Sequence, residues 1–433
     1  MHIMKKISIV CICMFLLAGC SKDNIPNNNQ EPISITLTKA EENIAQSEIN
    51  FSLRLLQALE KDEDVYKTDP NIFVSPYSVN TVLSILANGV TDNTAEKIYN
   101  LLGYDKNDTE SANTYYSLMN KSLMTTDPHS SLSLANSMWY NTAYTNGNIN
   151  PNFESAGKKY YNLLINGDNF KQNGNSVKDN INAWSSKNTD GQIGKVIDRV
   201  DPNTVVYFLN SVLFKSPWKN GVSFKDTNSM FYSYNGTQKN IKMIKAKTRS
   251  VAVIDIYDMS CVKIPFGNGS FSFIAMMPKD GMTFETALDA MQKEVTFTDL
   301  NRFFNDALNE DKYNPFYTES EVMIPNINIE SKIDMVNTIN KMGDNSLFDN
   351  IELNIFNKTL RGMNVNFCQR SKIELNKDGV RATAVSTGEV GVTDPNPFPE
   401  VKGKIVLDHP YMFFISENST NTILFAGVVR ILN

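Results

Sequence analysis

The segment from Leu375 to Pro399 sets the terms for the rest of the chain. It opens with Leu375-Asn376-Lys377-Asp378-Gly379, and the Asp-Gly pair marks a turn. It closes with Asp394-Pro395-Asn396-Pro397-Phe398-Pro399, and three prolines so close together exclude the interior of a sheet. Between these ends, Val380, Ala382, Ala384, Ser386, Gly388, Val390 and Val392 are small or apolar, and none is charged. The interleaved positions hold both charges, Arg381 and Glu389. Side chains alternate faces along a strand, so one face of this stretch is suited to burial in a sheet. Its Ala, Gly, Ser and Thr pack weakly. The stretch therefore reads as able to be either loop or strand.

Chemistry of other kinds is excluded early. The chain holds only His2, His129 and His409. His2 lies in the leader, His409 precedes Pro410, and His129 follows Pro128 with no serine-elbow motif to serve. There is no P-loop, dinucleotide fingerprint or metal-binding His/Cys array, so neither an enzyme nor a cofactor or metal is expected. Glu41 and Glu42 read as a solvated helix face. With 47 acidic and 41 basic residues the net charge is -6, which gives no footing for nucleic acid. Cys261 and Cys368 are the only cysteines after Cys20, and they read as unpaired thiols, with a disulfide between them as the alternative.

Residues 1–20 form an export leader. Lys5 and Lys6 precede an apolar run, Ile7 to Leu17, too short to remain as a spanning helix. Leu17-Ala18-Gly19-Cys20 resembles the bacterial lipoprotein cleavage box, in which the cysteine is lipidated and becomes the new N-terminus. An ordinary signal peptide ending in a chance cysteine is the plainer alternative. Lipidation at Cys20 implies an exported bacterial lipoprotein, anchored by acyl chains at the outer membrane or cell surface. Residues 21–40 are a polar, Asn-rich tether, and 41–433 shows no further break in composition and reads as one domain.

Within that domain, apolar spacing predicts a helix near Ile44 to Leu59. Ser75-Pro76 is a helix start, with serine as cap and proline at the first helical position. Val79, Val82, Leu83 and Leu86 form the buried stripe that follows. Strands are predicted at Leu134 to Tyr140, Thr204 to Phe214 and Phe367 to Leu375. A further pair, Met259 to Pro265 and Phe271 to Met277, makes a hairpin around Gly267 and Gly269. Another strand, Val322 to Ile329, is broken by Pro325. Helices are predicted at Phe284 to Ala290 and Ile333 to Met342. Asn210, in the middle of an apolar strand, reads by itself as a hydrogen-bonded buried amide.

Three stretches, taken in order, resemble the serpin family. They are Asn71-Ile72-Phe73-Val74-Ser75-Pro76-Tyr77-Ser78, then the small-residue segment after Gly379, then Asp408 to Ile415 followed by Ile423 to Val429. The resemblance runs from about Ile44 to Leu432. It implies an α+β fold of three β-sheets surrounded by about eight or nine helices, with an exposed reactive loop near 377–400. The implied activity is suicide-substrate inhibition of a serine protease. The protease attacks the loop, forms an acyl-enzyme, and the cut loop inserts into the central sheet as a new strand. A non-inhibitory serpin-fold surface binding protein is the alternative.

The resemblance also assigns residues. Counting from Gly379 places the attacked bond at Thr393–Asp394, with Val392 as the neighbouring choice. Gly379, Val380, Arg381, Ala382, Thr383 and Ala384 form the hinge. Ser75, Ser78, Asn210, Gln369 and Trp218 form a cluster where the sheet opens. Lys377 and Arg381 stand where the family usually has Glu, Val380 where it has Thr or Ser, and Gln369 where many members have His. No Lys or Arg occurs between Arg381 and Lys402. Val390, Val392 and Thr393 therefore suit an elastase-like protease, with a papain-like cysteine protease as second choice. A monomer is expected. Helix-borne polyanion binding is not, because Tyr104 to Asp127 carries only Lys106 and Lys121.

Overall fold

A computed structural model describes residues 31–432, except 69, 106, 146, 280, 314–318, 344–346, 363 and 381–400. The leader with Cys20 lies outside the described residues, as do the loop positions Arg381, Ala382, Thr383, Ala384, Val392, Thr393 and Asp394. The described helices are α1 (Lys39–Lys61), α2 (Glu63–Thr68), α3 (Pro76–Ala87), α4 (Asp92–Leu102), α5 (Thr109–Ser122), α6 (Thr142–Thr145), α7 (Pro151–Tyr161), α8 (Phe170–Asn188), α9 (Phe284–Lys293), α10 (Phe297–Tyr313) and α11 (Met335–Met342). The strands are β1 (Ile72–Val74), β2 (Ser131–Asn141), β3 (Leu163–Asp168), β4 (Thr204–Pro217), β5 (Lys225–Tyr232), β6 (Gln238–Thr248), β7 (Ala252–Ile256), β8 (Met259–Phe266), β9 (Phe271–Pro278), β10 (Glu319–Pro325), β11 (Ile327–Asp334), β12 (Glu352–Leu353), β13 (Leu360–Arg361), β14 (Asn364–Asn376), β15 (Gly379–Val380), β16 (Val401–Val406), β17 (Tyr411–Glu417) and β18 (Ile423–Val429).

Three large sheets carry the fold. The central one runs β11-β14-β15-β4-β2-β3, a second runs β1-β18-β17-β9-β8-β7, and a third runs β16-β10-β6-β5. A small β12–β13 pair stands apart. The eleven described helices outnumber the eight or nine expected, partly because α2 and α6 are short extra turns. The strand predicted across Pro325 is two strands in two sheets. Proline has no N–H to continue a ladder, so β10 ends there in the third sheet and β11 begins in the central one.

Local signals start the helices. The helix predicted from near Ile44 begins earlier, at Lys39, because Thr38 and Glu41 form a reciprocal capping box; Glu41 is thus a buried cap partner rather than part of a solvated face. Ser75 caps α3 and Pro76 occupies its first turn. Every residue of α3 is buried, because it lies in the middle of the molecule against β4 and β18. Strands β17 and β18 are buried along their whole length, which accounts for their continuous apolar runs. The main core fills the space between the sheets and α1, α3 and α5. A separate, smaller cluster lies on the other face of the central sheet. There Phe170, Val177 and Ile181 of α8 cover Trp139, Tyr207 and Leu209.

Candidate functional site

The site is a parting in the middle of the central sheet. β14 and β4 pair in parallel only at one end, from Asn364↔Thr204 to Phe367↔Phe208. At the other end they are held apart by β15. Val380 pairs with Leu375 on one side and Ser216 on the other, and Gly379 with Asn376 and Pro217. Between these two ends, no ladder pair joins β4 to β14 among the described residues. The chain thus leaves β14 through a tight turn and starts back down the opening between its neighbours.

Gly379 makes that re-entry possible. Its φ is +127°, and a Cβ would collide with the Ser216 carbonyl and Pro217. Val380 is buried on the inner face, in phase with Leu375 and Ser216. Trp218 closes the same end. Its indole N–H donates to the Asn376 carbonyl at 3.0 Å, and its ring stacks on Phe266 with centroids 4.7 Å apart. Lys377, at the tip of the turn, pairs with Asp226 of β5 at 3.0 Å, and this carboxylate raises the lysine's pKa. The tip of the turn thus carries a cation with an acidic partner on another sheet.

Beneath the opening, the predicted cluster separates into distinct parts. Gln369 reaches from β14 to the N-terminus of α3. Its Oε1 accepts from the Ser75 N–H at 2.7 Å and its Nε2 donates to the Ser75 carbonyl at 3.1 Å. Ser371 also donates to that Oε1, at 3.2 Å. Ser75 Oγ donates to the Leu424 carbonyl at 2.7 Å, and Ser78 Oγ donates to Ser75 Oγ at 2.8 Å. All four side chains are buried, and they tie β14, α3 and β18 together. Asn210 belongs to another pair. Its Nδ2 donates to Asn136 Oδ1 at 2.7 Å on neighbouring β2, and Asn136 donates onward to the Tyr161 carbonyl at 3.0 Å. Trp218 stands at the turn, away from both groups.

Sequence reasoning missed Asn136, Ser371 and Asp226. Asn136 and Asp226 meet their partners from another strand and another sheet, and Ser371 joins through Gln369 two residues away on β14, a spacing that marks only a shared strand face. Cys261 and Cys368 are both free. Burial pushes their thiols up to about 12 and about 11, so both stay protonated and unreactive at neutral pH.

Comparisons with known proteins agree with this geometry. The family model described as "Serpin (serine protease inhibitor)" matches residues 46–431. The chain is 24% identical over 395 residues to leukocyte elastase inhibitor A of Mus musculus, covering 90% of this chain and 99% of that protein. It is 23% identical over 393 residues to leukocyte elastase inhibitor of Homo sapiens, covering 89% and 98%. Among solved structures, the thermophilic serpin Tengpin in its native state superposes with a TM-score of 0.73 at 23% identity, covering 93% of this chain and 97% of that one.

Proposed function

Because this chain belongs to the serpin family, we propose that it is a suicide-substrate inhibitor of proteases, acting by cleavage of its loop and insertion of that loop into the central sheet. It is not a catalytic enzyme; its family model is described as a serine protease inhibitor, and relatives such as leukocyte elastase inhibitor A are named as inhibitors. One observation carries the insertion reading: Gly379 and Val380 already occupy the head of the space between β4 and β14. A strand continuing from there would run between edges of β4 and β14 that have no ladder partner on that side among the described residues. Each net hydrogen bond is worth about 0.5–1.5 kcal/mol, so roughly a dozen give on the order of 10 kcal/mol to hold the inserted state.

The target we propose is an elastase-like serine protease, attacking at Thr393–Asp394 or after Val392, with papain-like cysteine proteases second. The support is the absence of Lys and Arg between Arg381 and Lys402 and the small side chains at 390–393. Incubation with pancreatic elastase should yield an adduct stable in SDS, joined within a residue of Thr393. Complete cleavage with full protease activity and no adduct would sink the inhibitory reading. We further propose anchoring through a lipid on Cys20. Cys20→Ala should then move the protein from the membrane to the soluble fraction, and a wild-type protein already soluble would refute it.

A further inference from the structure

The chain between α8 and β4, residues 189–203, forms a strap on the outer face of the parted sheet. Ile193, Val196 and Ile197 pack with α8 over Tyr207 and Leu209. Asn182 of α8 binds the strap backbone three times, accepting from the amides of Val196 and Ile197 at 2.8 and 3.1 Å and donating to the Ile197 carbonyl at 3.0 Å. The strap then runs directly into β4 at Thr204. By packing and by chain connection, α8 and the strap ride with β4 and β2.

Three ion pairs fasten the strap, and they differ in what they join. Asp190 pairs with Lys215 at 2.6 Å, and Lys215 is on β4, the strap's own side. Lys195 pairs with Asp198 at 2.8 Å, within the strap. Asp198 also pairs with Lys332 at 2.6 Å, and Lys332 is on β11, beyond β14. Lys332 sits opposite Arg370 in the β11–β14 ladder, just past Phe367, where β14 stops pairing with β4. A strand entering between β4 and β14 moves β14 and β11 away by about 4.8 Å, the spacing of neighbouring strands. That separation breaks the Asp198–Lys332 contact and leaves Asp190–Lys215 intact.

We propose that Asp198 is a positioning residue that latches the two halves of the central sheet, so that its pair with Lys332 sets how fast the sheet accepts a strand. This rests on the insertion reading above. Hydrogen bonds from Lys195 and Lys332 hold the Asp198 carboxyl far below the usual carboxylate range, so the latch stays charged at any ordinary pH. Both partners are about half exposed, so the effect is modest and salt-sensitive. Breaking the pair should speed insertion about two- to fivefold at low salt, the range of an exposed ion pair.

The test uses a labelled synthetic peptide with the sequence of residues 381–393 and the intact protein, with peptide uptake followed by native mass spectrometry. Asp198→Asn and Lys332→Gln should take up the peptide faster than wild type at low salt, and all three should converge in 1 M NaCl. Asp198→Glu should restore the slow rate. Asp190→Asn is the built-in control, and its rate should match wild type. Equal rates for Asp198→Asn and wild type at low salt overturn the latch while leaving insertion standing. Equal acceleration by Asp190→Asn also overturns it, because the strap would then be merely loosened. Failure of wild type to take up any peptide overturns the insertion reading, and the latch falls with it.

Discussion

The side-chain amide of Gln369 binds both the N–H and the carbonyl of Ser75, at 2.7 and 3.1 Å, across 294 positions of sequence. One flat group with a donor and an acceptor side by side satisfies two backbone atoms at the buried start of α3. Ser75 is at once the cap of that helix, the acceptor for Ser78 and the donor to Leu424. The inner edge of β14 is therefore fixed to the helix beneath it at the level where the sheet is open. A polar network of this kind is stable only when every member is satisfied.

Gln369→Ala should consequently lower stability by about 1–3 kcal/mol, the cost of leaving buried backbone groups unpaired. Gln369→Glu distinguishes the two bonds. Its carboxylate still accepts from the Ser75 N–H but faces the Ser75 carbonyl with no proton to offer. Its melting temperature should fall at pH 7 and recover towards wild type on acidification, as the carboxyl gains a proton to donate. A pH-independent deficit in Gln369→Glu would show that the carbonyl bond contributes nothing.

The turn that leads into the opening gives a second prediction. Lys377→Glu sets a carboxylate against Asp226, turning an attractive contact at 3.0 Å into a repulsive one. The amide of Val380 should then exchange with solvent faster, and the Asp226→Lys reversal should bring it back. Because both side chains are about half exposed, the difference should shrink as salt is added. Unchanged exchange in Lys377→Glu would mean that Gly379 and Trp218 hold the turn without help from the ion pair.

Two buried ionisable side chains predict how stability varies with pH. Glu48 of α1 is fully buried, with Oε1 accepting from Ser52 at 3.1 Å and Oε2 without a hydrogen bond among the described residues. Burial pushes its carboxyl up from 4.5 to about 8. The folded state then holds a proton that the unfolded chain has lost, so stability falls as pH rises from about 4.5 to 8. Lys263 of β8 is buried and donates to Asn301 at 2.8 Å. Burial lowers its amine from 10.5 to about 8, opposed only in part by Glu417. Here the unfolded chain holds the extra proton between about 8 and 10.5, so stability rises with pH across that window. Above about pH 9 the buried thiols of Cys261 and Cys368, pushed up to about 12 and about 11, pull stability down and mask the lysine, so each group is read from its own variant. In urea unfolding the stability gap between Glu48→Gln and wild type should change across pH 4.5 to 8, and that between Lys263→Met and wild type across pH 8 to 10.5; a gap independent of pH in its window would refute that assignment.

Much of this architecture is visible in sequence because it is signalled locally. Ser75-Pro76 announces α3, and Gly267 and Gly269 announce the β8–β9 hairpin. Lys377-Asp378-Gly379 announces the turn that re-enters the sheet. What sequence does not reveal is contact between distant segments. Asn210 looks like a member of the group around Ser75, yet its partner is Asn136, placed opposite it only by the register of β2 on β4. Asp198 looks like any surface acid in a polar loop. Its importance comes from Lys332 lying two strands away from β4, which is a property of strand order alone.

The register of β15 gives the sharpest test of insertion. Val380 pairs with Leu375 and Ser216, so a strand continuing in that register would set Ala382 between Ile373 and Phe214, and Ala384 between Ser371 and Val212. These positions share the inward face with Val380, while Thr383 falls on the outward one. Ala384→Arg would then ask the sheet to bury an unpaired charge at a cost of several kcal/mol. Insertion races hydrolysis of the acyl bond, and about 1.4 kcal/mol in the insertion barrier is already tenfold in rate. The variant should fold normally and be cleaved near Thr393, yet release active protease as a plain substrate does. Thr383→Arg should inhibit nearly as well as wild type. Kinetic titration of both against one elastase-like enzyme decides the matter, because equal inhibition by Ala384→Arg and wild type is incompatible with strand insertion in this register.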